Sequence, residues 1–175
     1  MKITLIRHTS VDVAPGICYG RTDVALKNTF PEEAEKVKDK IEGKTFDAVF
    51  TSPLSRCRRL AYYCGYGQAV ADERLLEMNF GDWEMKRYDE IDDPRLQLWF
   101  DDYLNLAPTG GESAMQQKER FVDFINEIKS KGYENVLVFT HAGILFHAMH
   151  LYKGMPYAEA ISSAPQYGEV MEIDL

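Results

Sequence analysis

Short apolar runs that stop abruptly at polar residues mark the predicted strands. The run Lys2–Ile6 is rich in β-branched residues and is followed at once by an arginine and a histidine, which is typical of a buried strand. Phe46–Thr51 ends at a Ser-Pro pair, and Val136–Thr140 ends at a histidine. Gln68–Ala71 and Glu169–Ile173 are further short candidates. The pattern therefore predicts strands spread along the whole chain.

Between these strands, apolar spacing and boundary residues predict helices. The predicted helices are Pro31–Ile41, Leu54–Cys64, Pro94–Leu104, a long helix from the turn at 108–113 to about Lys131, and Ala142–Lys153. The first begins at a proline, and the first two are each followed by a glycine, as helix ends commonly are. Val11–Asn28 and Leu75–Trp83 show no sustained period and are expected to be irregular.

Strands that alternate with helices predict an α/β fold with a mostly parallel sheet covered on both faces. The expected architecture is a three-layer α/β/α sandwich. A length of 175 residues suits one domain over residues 1–175. The expected core is sizeable, because a chain of this length buries about 70% of its unfolded surface.

Composition and net charge exclude several classes of binding partner. Hydrophobic residues make up 45% and the formal net charge is −8, so disorder, nucleic-acid binding and binding to an anionic membrane surface are not expected. The three cysteines, Cys18, Cys57 and Cys64, form no CxxC pair and suggest free thiols in a reducing compartment. With no signal peptide and no apolar run of spanning length, we expect a cytoplasmic protein.

Histidines and arginines follow the predicted strands at points that could meet in space. Arg7 and His8 end the first strand, Arg56 begins the helix after the second, and His141 ends a later strand. In an open α/β sheet, ligands bind beyond the carboxyl ends of the strands. These four side chains would form an anion pocket, since arginine donates bidentately to phosphate. The alternative is that the histidines are ordinary loop residues and Arg56 lies on a solvated helix face.

Four segments, in chain order, resemble the signature blocks of the histidine phosphatase superfamily, which includes the cofactor-dependent phosphoglycerate mutases. They are Leu5–His8, Thr51–Arg56, Leu76–Glu84 and Val138–Gly143. The resemblance implies a phosphoglycerate mutase-like fold and a phosphomonoesterase. Within the superfamily, the segments Cys18–Asp23 and Gly110–Ser113 most resemble alpha-ribazole phosphatases, which remove the 5′-phosphate from a nucleotide-loop precursor of cobalamin.

The resemblance implies roles for particular residues. His8 would be the nucleophile that forms a phosphohistidine, and Glu77 the general acid that later activates water. His141 is a further catalytic candidate and, with the phosphate-binding candidates Arg7 and Arg56, would stabilise the phosphoryl oxygens. The remaining candidates are Ala142 as a backbone amide for phosphate, and Tyr19, Gly20 and Arg21 at the substrate entrance.

The chain departs from the family pattern at four positions. Thr9 and Ala142 stand where glycines follow the two histidines, Ser10 replaces an acidic residue, and Ala14 replaces an asparagine of the mutases. Thr9 and Ala142 keep their backbone N–H groups, so amide contacts to phosphate are still expected. The loss of the acidic residue and the asparagine weighs against mutase-like substrate handling.

Several features are assigned structural roles. His147 and His150 lie on the helix after His141 and are interpreted as histidines at the edge of the core, so neither a metal nor a cofactor is expected. Glu112 is expected to cap or acidify the start of the long helix. The expected partner is a small-molecule phosphomonoester. The alternatives are a mutase-like phosphotransferase, a phosphatase of another sugar phosphate or of a phosphoprotein, and a non-enzymatic interaction module.

Overall fold

The computed structural model describes residues 1–163 and 165–175. Within them lie five strands: β1 (Lys2–Arg7), β2 (Ala48–Thr51), β3 (Val70–Ala71), β4 (Asn135–Thr140) and β5 (Val170–Asp174). The helices are α1 (Phe30–Ile41), α2 (Ser55–Tyr63), α3 (Arg95–Asp101), α4 (Ala114–Ser130), α5 (Ala142–Lys153) and α6 (Tyr157–Ser162). Short 3-10 turns cover Glu73–Leu75, Gly81–Trp83 and Tyr88–Glu90.

The strands form one sheet in the order β3-β2-β4-β1-β5. All neighbours are parallel except β5, which runs antiparallel to β1 at the sheet edge. Parallel strands end on the same side of a sheet. The residues that follow β1, β2 and β4 therefore lie at one edge. This arrangement confirms the α/β class and the mostly parallel sheet predicted from the sequence.

Side chains of the central strands point alternately into two hydrophobic cores, one on each face of the sheet. On β4, Val136 and Val138 pack with α4 and α5 on one face. Leu137 and Phe139 point the other way and pack with α1 and α2. Strand side chains alternate between the two faces of a sheet, so a fully apolar strand such as β4 must be covered on both. The result is the predicted three-layer sandwich.

The boundaries of several elements differ from the predicted ones for local reasons. Strand β2 begins at Ala48 rather than Phe46, since the carboxylate of Asp47 accepts the backbone N–H groups of Glu134 and Asn135. Helix α6 was not predicted, because its six residues are too few to show a helical period. The capping role predicted for Glu112 is wrong: Ser113 caps α4, in a capping box with Gln116.

Candidate active site

The two predicted strand-end histidines meet at one edge of the sheet. Strands β1 and β4 are parallel neighbours whose register pairs Arg7 with Thr140. His8 and His141 follow these paired residues, and their rings lie edge to face with centroids 5.2 Å apart. The expected convergence of the two imidazoles is therefore present in the structure.

The imidazole of His8 is held in one tautomer. Its Nδ1 lies 2.8 Å from the carbonyl oxygen of Thr9, and a carbonyl can only accept, so Nδ1 carries the hydrogen. The Nε2 atom consequently keeps its lone pair. Burial, together with the nearby guanidinium groups of Arg56 and Arg7, lowers the pKa of His8 well below its usual value. The ring is therefore neutral at physiological pH, and the lone pair of its Nε2 stays available.

Two arginines flank His8 and are anchored mainly through their terminal nitrogens. Arg7 donates through Nη1 to the carbonyl of Pro165, and its guanidinium stacks 4.0 Å from the ring centroid of Tyr167. Arg56 is fully buried and donates through Nη1 and Nη2 to the carbonyls of Thr22 and Gly20. These contacts hold both guanidinium groups near His8.

Buried donors without partners collect around His8. Among the described residues, Arg7 Nε, Arg56 Nε and Thr9 Oγ1 are buried and make no hydrogen bond. An unsatisfied buried polar atom costs about 1–3 kcal/mol, so several in one place suggest a ligand that satisfies them. Cationic N–H groups are suited to an anion, and the planar arginine fork matches phosphate.

His141 lies behind His8 rather than in the open cavity. It is fully buried, its Nε2 is 2.7 Å from the Ser52 hydroxyl and 3.5 Å from the Cys57 sulfur. Burial, followed by the charges of His8 and Arg56, lowers the pKa of His141 well below its usual value. His141 contacts His8 edge to face through its ring.

The Glu77 carboxylate is fixed by three N–H groups. Its Oε1 accepts from the backbone of Met78 at 2.8 Å and from the Gln117 amide at 3.1 Å. Its Oε2 accepts only a longer bond of 3.3 Å, from the backbone of Gly143 at the start of α5. A side chain on Gly143 would overlap Glu77 Oε1 and the Gln117 amide. The freer oxygen of the pair is therefore Oε2.

Arg7, His8, Glu77 and Ala142 share the lining of one cavity of about 320 Å³. Gln117, Gly143 and His147 complete its polar end. The rest of the lining is mostly apolar and aromatic, and it includes Ile17, Tyr19, Met78, Phe80, Tyr88, Trp99, Tyr103, Leu104, Phe146, Tyr157 and Ile161. The cavity thus joins an anion pocket to a space suited to an apolar group.

Of the three predicted entrance residues, only Tyr19 lines this cavity. Its hydroxyl lies 2.9 Å from that of Tyr167. The ring of Tyr167 in turn packs against Arg7 and His8. Gly20 packs so closely on the Met78 carbonyl that a side chain there would overlap it. Arg21 instead forms a salt bridge of 3.2 Å with Glu112.

Two carboxylates that the sequence analysis did not assign to this role organise the entrance loop. Glu84 accepts the backbone N–H groups of Gly20, Arg21 and Thr22 and the Thr22 hydroxyl. Burial acts to raise the pKa of Glu84, but these hydrogen bonds outweigh it and hold the pKa below its usual value. Glu112 joins the same loop to α4, because it also pairs with Arg120 at 2.7 Å.

The two remaining histidines differ in their surroundings. His147 is buried at the cavity wall, between Gln117 and Tyr157. His150 is partly buried, stacks on Tyr157 at 3.9 Å and donates to the Met155 carbonyl. Among the described residues, no group of three metal-ligating side chains is placed to hold an ion. In the same part of the chain, no helix has the length and apolar character to cross a membrane.

An α/β/α sandwich with paired histidines and arginines at the carboxyl edge of its sheet defines the phosphoglycerate mutase-like class. Sequence comparison agrees with this class. The profile of the histidine phosphatase superfamily (branch 1) matches residues 3–175. The chain belongs to this superfamily and is a phosphatase.

Individual relatives support the same assignment. The chain is 30% identical over 171 residues to the adenosylcobalamin/alpha-ribazole phosphatase of Escherichia coli (strain K12), covering 92% of this chain and 83% of the relative. The crystal structure of the alpha-ribazole phosphatase from Shigella flexneri superposes with a TM-score of 0.89 at 26% identity, covering 100% of this chain and 91% of that one. A glucosyl-3-phosphoglycerate phosphatase of Mycolicibacterium vanbaalenii is 24% identical, with 89% and 75% covered.

Proposed function

We propose that this phosphatase hydrolyses alpha-ribazole 5′-phosphate, through a phosphohistidine formed on His8. Two observations support the substrate. Relatives of the chain carry the name alpha-ribazole phosphatase, and the cavity beside Glu77 is suited to the leaving group. Such an activity would belong to cobalamin biosynthesis.

The observation that supports this substrate best is the set of aromatic side chains that line the same cavity as Arg7, His8 and Glu77. Trp99 on α3 packs edge to face with Phe80 and Trp83, at centroid distances of 5.9 and 5.7 Å. Alpha-ribazole carries a flat benzimidazole base on its ribose, and such a base stacks well on aromatic side chains. A small polar leaving group, such as serine or glyceric acid, would leave these side chains uncovered.

Trp99 also presents a polar atom. Its Nε1 is buried and has no hydrogen-bond partner among the described residues, whereas Trp83 Nε1 donates to Asp93 at 2.7 Å. A buried indole N–H normally finds a partner. We propose that Trp99 Nε1 donates to an oxygen or nitrogen of the bound nucleoside.

In the first half of the proposed reaction, His8 Nε2 attacks phosphorus. The P–N bond forms as the bond from phosphorus to the ester oxygen breaks, and Glu77 gives its proton to that oxygen. The unpartnered nitrogens of Arg7 and Arg56, with the Thr9 hydroxyl, would donate to the phosphoryl oxygens. The backbone of Ala142 adds a helix N-terminus on the same side.

In the second half, water attacks the phosphohistidine. Glu77, now ionised, takes the proton of the water, the P–N bond breaks, and inorganic phosphate leaves His8 neutral again. His141 would support the His8 ring from behind, while burial, Arg56 and Arg7 disfavour protonation of that ring. No external donor is needed, because the protons of the two halves balance.

Two further expectations from the sequence stay proposals. We propose that residues 1–175 act as one histidine phosphatase domain. A cytoplasmic location is supported by the three cysteines, all of which are free and buried. A mutase-like transfer between substrates stays the alternative activity.

The test is a comparison of kcat/KM over alpha-ribazole 5′-phosphate, glucosyl-3-phosphoglycerate, phosphoserine and 3-phosphoglycerate. We expect the first to be preferred. Trp99→Leu should lower kcat/KM for alpha-ribazole 5′-phosphate about tenfold, the value of one good aromatic contact. The same variant should leave kcat/KM for phosphoserine unchanged. The matched control is Leu98→Ala, since Leu98 lies on the same helix and is 58% exposed. Equal kcat/KM for all four esters would overturn the proposed substrate.

A further inference from the structure

Three side chains from three helices form one line of hydrogen bonds behind Glu77. Gln117 on α4 donates through Nε2 to Glu77 Oε1 at 3.1 Å. Gln117 Oε1 lies 3.3 Å from His147 Nε2 on α5. The hydroxyl of Tyr157 on α6 lies 3.0 Å from His147 Nδ1. The line therefore ends at the carboxylate that faces the anion pocket.

The direction of every bond in this line is fixed. Gln117 Nε2 faces two groups that can only accept, the carbonyl of Leu76 and the carboxylate of Glu77. The amide oxygen must therefore face His147, whose Nε2 carries the hydrogen. The Nδ1 of His147 is then an acceptor, and Tyr157 donates to it. All three donors point toward Glu77.

His147 keeps this polarity over the ordinary pH range. Burial, together with the charges of Arg120 and Lys118, lowers the pKa of His147 to about 3. A neutral imidazole can accept from Tyr157 and donate to Gln117 at the same time, which an imidazolium cannot. The line is consequently a fixed set of dipoles rather than a titrating switch.

The location of the line argues against a purely packing role. Gln117, His147 and Tyr157 all line the cavity that contains His8 and Glu77. Burial of polar side chains is costly unless each is paired, and apolar residues of similar size pack at lower cost. Here the pairing converges on one carboxylate at the reaction centre.

We propose that Gln117, His147 and Tyr157 are positioning residues that hold Glu77 with Oε1 anchored and Oε2 turned to the leaving group. Met78 and Gln117 occupy Oε1, whereas Oε2 has only the long bond to Gly143. The inference rests on the proposed acid role of Glu77. The transferred proton would sit on Oε2, pass to the ester oxygen as its bond to phosphorus breaks, and be replaced from the attacking water.

Charged and titratable groups other than those of the line also face Glu77. Arg7 and His8 lie across the same cavity. Arg120 on α4 donates to the backbone carbonyl of Glu77 at 3.1 Å. None of these contacts involves the Gln117 amide, so substitution of Gln117 or Tyr157 leaves them in place.

The test compares Tyr157→Phe and Gln117→Ala on an alkyl phosphate and on p-nitrophenyl phosphate, whose leaving group scarcely needs a proton. We expect Tyr157→Phe to lower kcat for the alkyl ester about threefold to tenfold, as for one lost hydrogen bond. Gln117→Ala should cost about 10², near the low end for acid–base catalysis. The rate of nitrophenol release in the first turnover should stay within about twofold, and KM should hold for both esters.

Two further variants separate positioning from packing. Tyr152→Phe removes a partly buried hydroxyl from α5, outside the line, and should change neither rate. Gln117→Glu places a second carboxylate beside Glu77, and such a pair binds a shared proton. The alkaline limb of the kcat profile should then move to higher pH for the alkyl ester, a shift that a packing role would not produce.

The outcomes distinguish this inference from the proposed function. Equal losses on both esters in Tyr157→Phe and Gln117→Ala, beside an ester-dependent loss in Glu77→Gln, would overturn the positioning role and leave Glu77 as the acid. An equal first-turnover loss on both esters in Glu77→Gln would overturn the acid role and the positioning role together. Tyr157→Phe keeps the test decisive if Gln117→Ala does not fold.

Discussion

The Nδ1 atom of His8 and the carbonyl oxygen of Thr9 lie 2.8 Å apart. This bond between adjacent residues sets the tautomer of the imidazole, and with it the atom that can attack phosphorus. Because the acceptor is a backbone carbonyl, this bond does not depend on whether position 9 carries threonine or the glycine of the family pattern.

The first prediction is that His8→Ala abolishes hydrolysis while the fold is retained. The reason is that Nε2 of His8 is the unprotonated nitrogen at the anion pocket. Rapid quenching of the natural enzyme during turnover should trap acid-labile phosphate on His8. Circular dichroism and Tm would monitor the fold of the variant. Substantial turnover by a well-folded His8→Ala protein would contradict the mechanism.

The second prediction concerns the leaving group. Glu77→Gln should lower the rate about 10²–10⁴-fold for esters with poor leaving groups. The loss should be much smaller for p-nitrophenyl phosphate in the first turnover. Slow water attack would then appear as a burst of nitrophenol followed by slow turnover. Binding should hold or tighten, because removing a carboxylate lessens repulsion of the dianion.

Arg56→Ala provides the contrast to this pattern. In the proposed mechanism Arg56 donates its free Nε to the phosphoryl group itself, so both esters should bind and react more weakly in this variant. If Glu77→Gln slows the first turnover of both esters equally, Glu77 is not the acid. Asp82 and Glu84 would then be tested in its place.

The third prediction concerns metal and inhibition. The positive charge that faces the phosphate comes from arginines, so EDTA should leave the rate unchanged. Vanadate should inhibit, since it mimics the five-coordinate transition state. Both are measured as steady-state rates with an alkyl ester. A rate that collapses on chelation and returns with zinc or magnesium would show that an ion takes part.

The fourth prediction concerns stability in mild acid. His8, His141 and His147 all have pKa values lowered by burial first, so the unfolded chain binds more protons than the folded one below about pH 6.5. The stability they contribute is present above pH 6.5 and is lost as pH falls. Each can reduce the free energy of unfolding by up to about 1.4 kcal/mol per pH unit in this range.

Urea unfolding between pH 7.5 and 5 measures this dependence. His147→Gln should flatten the slope, because one of the buried titrating groups is gone. His150→Gln, which changes a partly exposed histidine on the same helix, is the control. An unchanged slope in His147→Gln would show that His147 titrates alike in both states.

The sequence predicted the layers of the fold because apolar periodicity and strand-end residues report them directly. The fully apolar run of β4 indicates burial on both faces, and the histidine after it indicates a functional edge. Convergence of Arg7, His8, Arg56 and His141 followed from parallel neighbours in the sheet. That prediction assumed that β1, β2 and β4 are neighbours in the sheet, and the structure shows that they are.

Residues whose role depends on tertiary contacts were beyond sequence reasoning. Gln117 looks like a surface position on an amphipathic helix, but in the fold α5 and the segment Leu76–Glu77 pack against it. Gly20 and Arg21 resemble ligand contacts, yet one serves close packing and the other an ion pair with Glu112. The carboxylates that hold this loop, Glu84 and Glu112, lie far from it along the chain, so no local pattern in the sequence pointed to them.

Gly143 shows what the site costs the chain in free energy. A glycine inside a helix is less favourable than alanine by roughly 0.5–1 kcal/mol, and Gly143 lies in the first turn of α5. A methyl group there would favour the helix but displace the Glu77 carboxylate and the Gln117 amide. Gly143→Ala would therefore exchange a small gain in helix propensity for the hydrogen bonds that hold Glu77, so the shape of this carboxylate site is set in part by a residue that has no side chain.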